Sequence, residues 1–166
     1  MKILVSQCLL GSACRWDGQP SAHLLSWFAQ HGIPESEILA LCPETLGELS
    51  TPRVPAEIIG GRANKVLLGH ARIETMSGED QTEAFLKGAH FVLQAVKDAG
   101  VRVALLKSKS PSCGVHQVYD GTFSRKLIPG KGLTAELLAQ IGVTLFDEHE
   151  LDALALFLAT ETKKQA

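Results

Sequence analysis

The chain has 166 residues, 45% of them apolar and 20% charged, with a formal net charge of -2 at pH 7. A chain of this length buries about two-thirds of the surface it would expose unfolded, so it can fold as one domain over residues 1–166 without a disulfide or metal staple. The near-neutral charge offers no electrostatic footprint for a nucleic acid polymer or an anionic membrane, and neither is expected as a partner.

In chain order, KILVSQ (Lys2 to Gln7) reads as a strand. The apolar stretch Ile3 to Leu10 is broken by Ser6 and Gln7 and has neither a basic leader nor a small-residue cleavage site, so it is not expected to be a signal peptide. No segment reaches the roughly 20 apolar residues needed to cross a bilayer, and the expected location is the cytoplasm, where thiols stay reduced. SAHLLSWFAQHG (Ser21 to Gly32) reads as a helix opened by Ser21 and closed by Gly32, and SEILALC (Ser36 to Cys42) as a second strand. Pro43 to Gly61, with prolines at 43, 52 and 55, reads as a long loop with room for a turn of helix. A loop of that length in a compact domain is usually functional.

Lys65 to Thr75 reads as a short hairpin or bent strand. It leads into the clearest helix, DQTEAFLKGAHFVLQAVKDAG, where Asp80 and Glu83 form a capping-box pattern, Phe85, Ala89, Val92, Leu93 and Val96 share a face, and Gly100 is the stop. A strand at Val101 to Lys107, a helix at Gly132 to Gly142, a strand at VTLFD and a final helix at HELDALALFLAT complete the chain. Alternating βα units predict an α/β three-layer sandwich with a mainly parallel, Rossmann-like sheet. Ligands of such sheets bind beyond the carboxyl ends of the strands, and Cys8, Cys42 and Cys113 each follow a predicted strand.

Single cysteines are often inert core residues. These three stand beside turn formers, in CLLGSAC, CPETLG and SPSCG, which core residues seldom do. Structural zinc is disfavoured because no C-x2-C knuckle is present. Soft thiolates also select iron-sulfur clusters, and three of them would hold four irons with one iron lacking a protein ligand. The alternative is Cys8 as the nucleophile of a phosphatase or arsenate reductase, in a loop followed by Arg15 and a helix. The six residues between Cys8 and Arg15 are one more than that loop carries.

CLLGSACRWDG, CPE, TPRVPAEI, LLKSKSPSCG, VYDGTF and PGKGLTAELL stand in an order and spacing that resembles the thiouracil desulfidase family over about residues 3 to 148. The resemblance implies a cytoplasmic enzyme that carries an oxygen-sensitive 4Fe-4S cluster on Cys8, Cys42 and Cys113. Such an enzyme removes sulfur from a thiolated pyrimidine without net redox change, the substrate being a small thiolated base, nucleoside or nucleotide. Cys14 is expected beside the cluster rather than on it. At ETLGELSTPR the chain departs from the Gly-Gly-Leu-Pro that relatives commonly show before Thr-Pro-Arg.

Chemistry of this kind needs a base to activate water and an acid to protonate the ring, and Glu44 reaches the same cavity if burial raises its pKa. Its bland alternative is an exposed first-turn residue of a short helix. Ser110 would orient water or substrate, or else only shape a turn before Pro111, with Ser112 as its substitute. Arg15 binds an anion or pairs with Asp17 or Asp120. His116 and Tyr119 are candidate wall residues, and Arg53 and Glu57 candidate contacts to the ring. Trp16 is a candidate pocket lining and Trp27 a core residue. A non-enzymatic metal or cluster carrier is the third reading.

Overall fold

A computed structural model describes residues 1–165. Its elements are β1 (Ile3–Ser6), α1 (Leu25–Gln30), β2 (Ile38–Leu41), α2 (Pro43–Leu46), β3 (Ala56–Ile59), α3 (Ala63–Leu67), β4 (Arg72–Thr75), α4 (Thr82–Ala99), β5 (Val103–Leu106), β6 (Gln117–Tyr119), β7 (Leu127–Pro129), α5 (Leu133–Gln140), β8 (Thr144–Asp147) and α6 (Leu151–Gln165). Turns of 3-10 helix cover Gln7–Leu9 and Glu35–Glu37.

The central sheet has the order β2-β1-β5-β8 and every pair in it is parallel. Both of its faces are covered, so its strands are apolar runs whose residues alternate between two cores. Ile3, Val5, Val103 and Leu105 pack on one side with Phe28 of α1 and Leu154 and Leu158 of α6. Leu4, Ala104 and Leu106 pack on the other with Val92 and Val96 of α4 and Ala135 and Leu138 of α5. Each such fully buried large side chain contributes about 1.5–3 kcal/mol. These are the three layers expected from the alternating βα pattern.

After β1 the chain moves to one side to build β2 and then to the other side for β5 and β8. The order reverses between β1 and β5, and the crevice at their carboxyl ends is where such sheets bind ligands. Two antiparallel hairpins, β3–β4 and β6–β7, lie outside this sheet. Ile58 and Ile73 of the first join Ala63 and Val66 of α3 against Phe85, Ala89 and Leu133.

Several sequence expectations are corrected here. The helix expected from Ser21 starts only at Leu25, because His23 bridges Leu10 as a strand residue. Pro43 to Gly61 holds the turn of helix the sequence allowed, α2 with Pro43 at its first position, but also a strand, β3, that was not expected there. Lys65 to Thr75 is neither hairpin nor bent strand but the end of α3 followed by β4. No reciprocal capping box forms, since α4 begins with Gln81 at its cap and Asp80 one position upstream, where its Oδ1 accepts the Thr82 N–H at 2.9 Å. Gly100 ends α4 as expected, with φ +65 and Val101 N–H bonded to Val96 O at 3.0 Å.

α2 and α4 meet backbone to backbone. A Cβ on Gly88 would stand 1.8 Å from Pro43 O, and one on Gly47 would stand 2.1 Å from Ala84 O. Alanine at 88 would gain about 1 kcal/mol of helix propensity, but the clash is with main chain that cannot rotate away, so overpacking wins. Gly88→Ala is expected to destabilise by about 3 kcal/mol, lowering the thermal midpoint by roughly 6–12 °C in a calorimetric scan.

Candidate functional site

Cys8 sits in the 3-10 turn after β1, Cys42 at the cap between β2 and α2, and Cys113 in the loop after β5. With Cys14 they line one cavity of about 350 Å³ at the strand carboxyl ends, within the range of small-molecule sites. Glu44 and Ser110 line it too. All four cysteines are free; Cys8, Cys14 and Cys113 are buried and Cys42 is half-buried.

The loops that carry the thiols are pinned by their own main chain. Cys8 O accepts the N–H groups of Ser21 and Ala22 at 2.8 and 3.1 Å. Ser110 Oγ accepts those of Ser112 and Cys113, both at 3.0 Å. The unpaired N–H groups that open α5 are satisfied by the same loop, Leu133 on Pro111 O and Thr134 on Ser112 O. This contact requires Gly132, where a Cβ would lie 2.4 Å from the Ser112 carbonyl carbon.

Burial and the closeness of the thiols to one another disfavour their ionisation. Burial is the main cause that pushes Cys113 up to about 12, against hydrogen bonds from Ser6 and Ser110 that favour the thiolate. Cys42 is driven far above the usual thiol value, first by its hydrogen bond with Cys14 and then by burial. For Cys14 the bond with Cys42 is the largest influence and lowers it, but contact with Cys8 and burial together leave it raised. These thiols therefore release protons when a metal arrives. A tetrahedral zinc ion with ligands at about 2.3 Å would hold its sulfurs about 3.8 Å apart. No three cysteine sulfurs lie within 4.8 Å of one another among the described residues.

Glu44 stands in the first turn of α2, yet its side chain is only 13% exposed and faces the cavity rather than solvent. Arg53, 5% exposed, donates Nε to Glu44 Oε2 at 2.9 Å, and its Nη2 contacts the same oxygen. That Nη2 also bonds Cys14 O at 3.0 Å, and Nη1 bonds Ser50 O and Thr51 Oγ1. Arg53 is thus fully engaged in fixing Glu44 against the Cys14 loop, and Glu44 Oε1 has no hydrogen-bond partner among the described residues. Glu57, also named from sequence, accepts Gly121 and Phe123 N–H groups on Oε1 and holds the loop between β6 and β7 over the cavity.

Three of the four non-glycine residues with positive φ line this cavity: Lys109 at +64, Phe123 at +56 and Arg125 at +63. Backbone strain of this kind clusters at ligand sites. Tyr119 and Trp16 line the cavity and Trp27 packs on the core. His116 does not line it: its Nε2 pairs with Glu150 at 2.8 Å outside the cavity. His116, Asp147 and Glu150 do bring ligand atoms within 4.8 Å, but Glu150 Oε2 accepts Asp147 N–H and Asp147 Oδ1 accepts His149 N–H, which accounts for the group as the cap of α6. Arg15 pairs with Asp17 at 3.4 Å. The phosphate cradle of the Cys8-nucleophile alternative is absent among the described residues, since the first α-helix after Cys8 begins only at Leu25. Ser112 is fully buried and does not line the cavity.

Lys107, unmarked in the sequence, lines the cavity with its ammonium on Glu148 Oε1 and Ser108 Oγ. Burial raises the Glu148 carboxyl, but the bonds from Lys107 and from Ser108 N–H outweigh it and hold it below the usual carboxylate range. A depressed carboxylate stabilises above its unfolded pKa and loses that stabilisation as pH falls through the folded value. Glu148→Gln is expected to cost about 1–2 kcal/mol at pH 7, roughly 2–8 °C in thermal midpoint, with the gap to wild type closing as scans move below about pH 4.5.

A family model described as 2-thiouracil desulfurase matches residues 3–150. A Bacillus subtilis (strain 168) protein described as uncharacterized protein YbbK is 47% identical over 150 residues, 90% of this chain and 97% of that protein. A solved structure described as the 4Fe-4S-dependent thiouracil desulfidase TudS superposes with a TM-score of 0.80 at 40% identity, over 96% of this chain and 98% of that one.

Proposed function

This chain belongs to the 2-thiouracil desulfurase family, and from that premise we propose that it is an iron-sulfur-dependent desulfidase: it replaces the sulfur of a thiolated pyrimidine by oxygen from water, without net redox change. The observation that carries the proposal is the convergence of four reduced thiols and one clamped carboxylate on a single cavity at the switch point of the sheet. Cys8, Cys42 and Cys113 would hold a 4Fe-4S cluster, the cofactor on which the structural relative TudS depends. The fit rests on this chain's own features: soft thiol ligands, all free, brought to one cavity by three separate loops. When bound, such a cluster with one iron free of protein ligands supplies a Lewis acid with affinity for sulfur.

The remaining steps belong to the protein. The cavity is walled largely by apolar groups, among them Val54, Phe85 and Phe123, which cover a flat ring and exclude bulk water. Glu44 Oε1 accepts a proton from the water that attacks the thiocarbonyl carbon, while Arg53 keeps Oε2 from turning toward the ring. Water oxygen becomes the new carbonyl, sulfur leaves as sulfide, and the two water protons balance it. Ser110 accepts the Ser112 and Cys113 N–H groups on Oγ and turns its hydroxyl hydrogen to the Cys113 sulfur, which positions that thiol at the cavity.

The test is anaerobic purification followed by incubation with 2-thiouracil. The expected result is a brown protein with about four irons per chain that releases sulfide and uracil in equal amounts. A colourless protein with stoichiometric zinc, or a brown one that releases no sulfide from any thiolated pyrimidine, overturns the proposal. The latter outcome would favour the cluster carrier.

A further inference from the structure

Gln81 lies at the junction of β4 and α4, fixed through its main chain: its N–H bonds Ile73 O at 2.8 Å and its O accepts Phe85 N–H at 3.1 Å. Its side chain reaches the cavity wall. Its Oε1 is shut off from solvent and has no hydrogen-bond partner among the described residues. Other polar groups of the wall have partners of their own: Glu44 Oε2 has Arg53, Glu57 Oε1 the N–H groups of Gly121 and Phe123, and Ser6 Oγ the Lys107 N–H. Phe85 and Met76, which line the cavity from the same stretch of chain, are apolar and cannot satisfy it.

A buried amide oxygen with nothing to bond is costly, and a ligand that donates to it removes that cost. The position suits that role. Gln81 precedes the contact of Ala84 with Gly47 by about one helical turn, beyond the C-terminal end of α2, and it lines the same cavity as Glu44. Whichever of its two carbonyl positions carries sulfur, a thiouracil ring keeps an N3–H next to a second carbonyl. A carboxamide is the matching pair, its oxygen accepting from N–H and its NH₂ donating to C=O.

We propose that Gln81 is the residue that recognises the substrate's imide edge, its amide paired with N3–H and the carbonyl that does not react. The inference rests on the thiopyrimidine reading of the site and names the residue that sets ring specificity. A group that hydrogen-bonds a ring N–H also rejects rings that lack it, because the amide is then left unpaired.

The test is calorimetric titration of wild type and Gln81→Leu with uracil and with N3-methyluracil, product rings that bind without turnover. Wild type is expected to prefer uracil by at least about tenfold, and Gln81→Leu to bind the two alike by losing affinity for uracil alone. The thermal midpoint of Gln81→Leu should equal or exceed that of wild type, since hydrocarbon replaces an unpaired buried amide. A wild type without preference, a variant that discriminates as well as wild type, or a variant that loses both rings equally together with stability overturns the assignment. Sulfide release from 2-thiouracil by wild type is scored separately. Its absence overturns desulfidation while the ring preference still decides Gln81, and its presence beside an unaltered preference in the variant overturns Gln81 alone.

Discussion

Cys8→Ser, Cys42→Ser and Cys113→Ser, each purified without oxygen, are expected to lack the broad visible absorption of a four-iron cluster and to release no measurable sulfide from 2-thiouracil. Cys14→Ser should keep most of its iron. The difference follows from counting ligands: a cluster that must bind a sulfur substrate needs one iron without a protein thiolate, so three cysteines hold it and a fourth would close it. Cys14 lies against both Cys8 and Cys42, where it can influence the cluster's surroundings without holding it. Iron content and the absorption spectrum of the four variants decide the matter. Iron lost from Cys14→Ser but kept by any one of the other three would exchange their roles.

Glu44→Gln is expected to retain the cluster and to lose at least about a hundredfold in turnover, the low end for removing a general base. Glutamine keeps the shape and one oxygen for Arg53 but puts an NH₂ or a weakly basic amide oxygen where Oε1 stood. It also leaves the 5%-exposed Arg53 guanidinium without its counter-charge, at a cost of about 1–3 kcal/mol. Activity should therefore be measured well below the variant's thermal midpoint. Unchanged iron with kcat lowered and KM little altered identifies proton transfer; wild-type turnover would leave Glu44 as a partner of Arg53 and nothing more. These two experiments separate holding the cofactor from moving the proton.

The layers of the fold were legible because their signals are local. Ile3 to Ser6 and Val103 to Leu106 are apolar runs, and α4 carries its stripe of Phe85, Ala89, Val92 and Val96 up to Gly100. The two hairpins were not, since β3 is four residues bracketed by Pro55 and Gly60 and its partner β4 follows a one-turn helix that its own residues do not announce. For the site, strand-end topology was enough to bring Cys8, Cys42 and Cys113 to one cavity. Arg53 as the clamp of Glu44 was not readable, because it acts on Cys14, 39 residues away, through a contact with no sequence pattern. Lys107, Gln81 and Phe123 escaped notice for the same reason, each defined by what the fold sets opposite it. Ser110 was foreseen as a turn former or an orienting group, and its bonds to Ser112 and Cys113 N–H display the first role directly.

The bracing of the Cys113 loop by the start of α5 also bears on biosynthesis. The third thiol is held in place by Gly132, Leu133 and Thr134, residues from the last fifth of the polypeptide. While the ribosome is still translating, Cys8 and Cys42 can emerge and even fold on their strands, but Cys113 has nothing to brace it until that late helix has left the exit tunnel. A chain truncated before residue 132 would lack the contacts that seat this thiol beside the others.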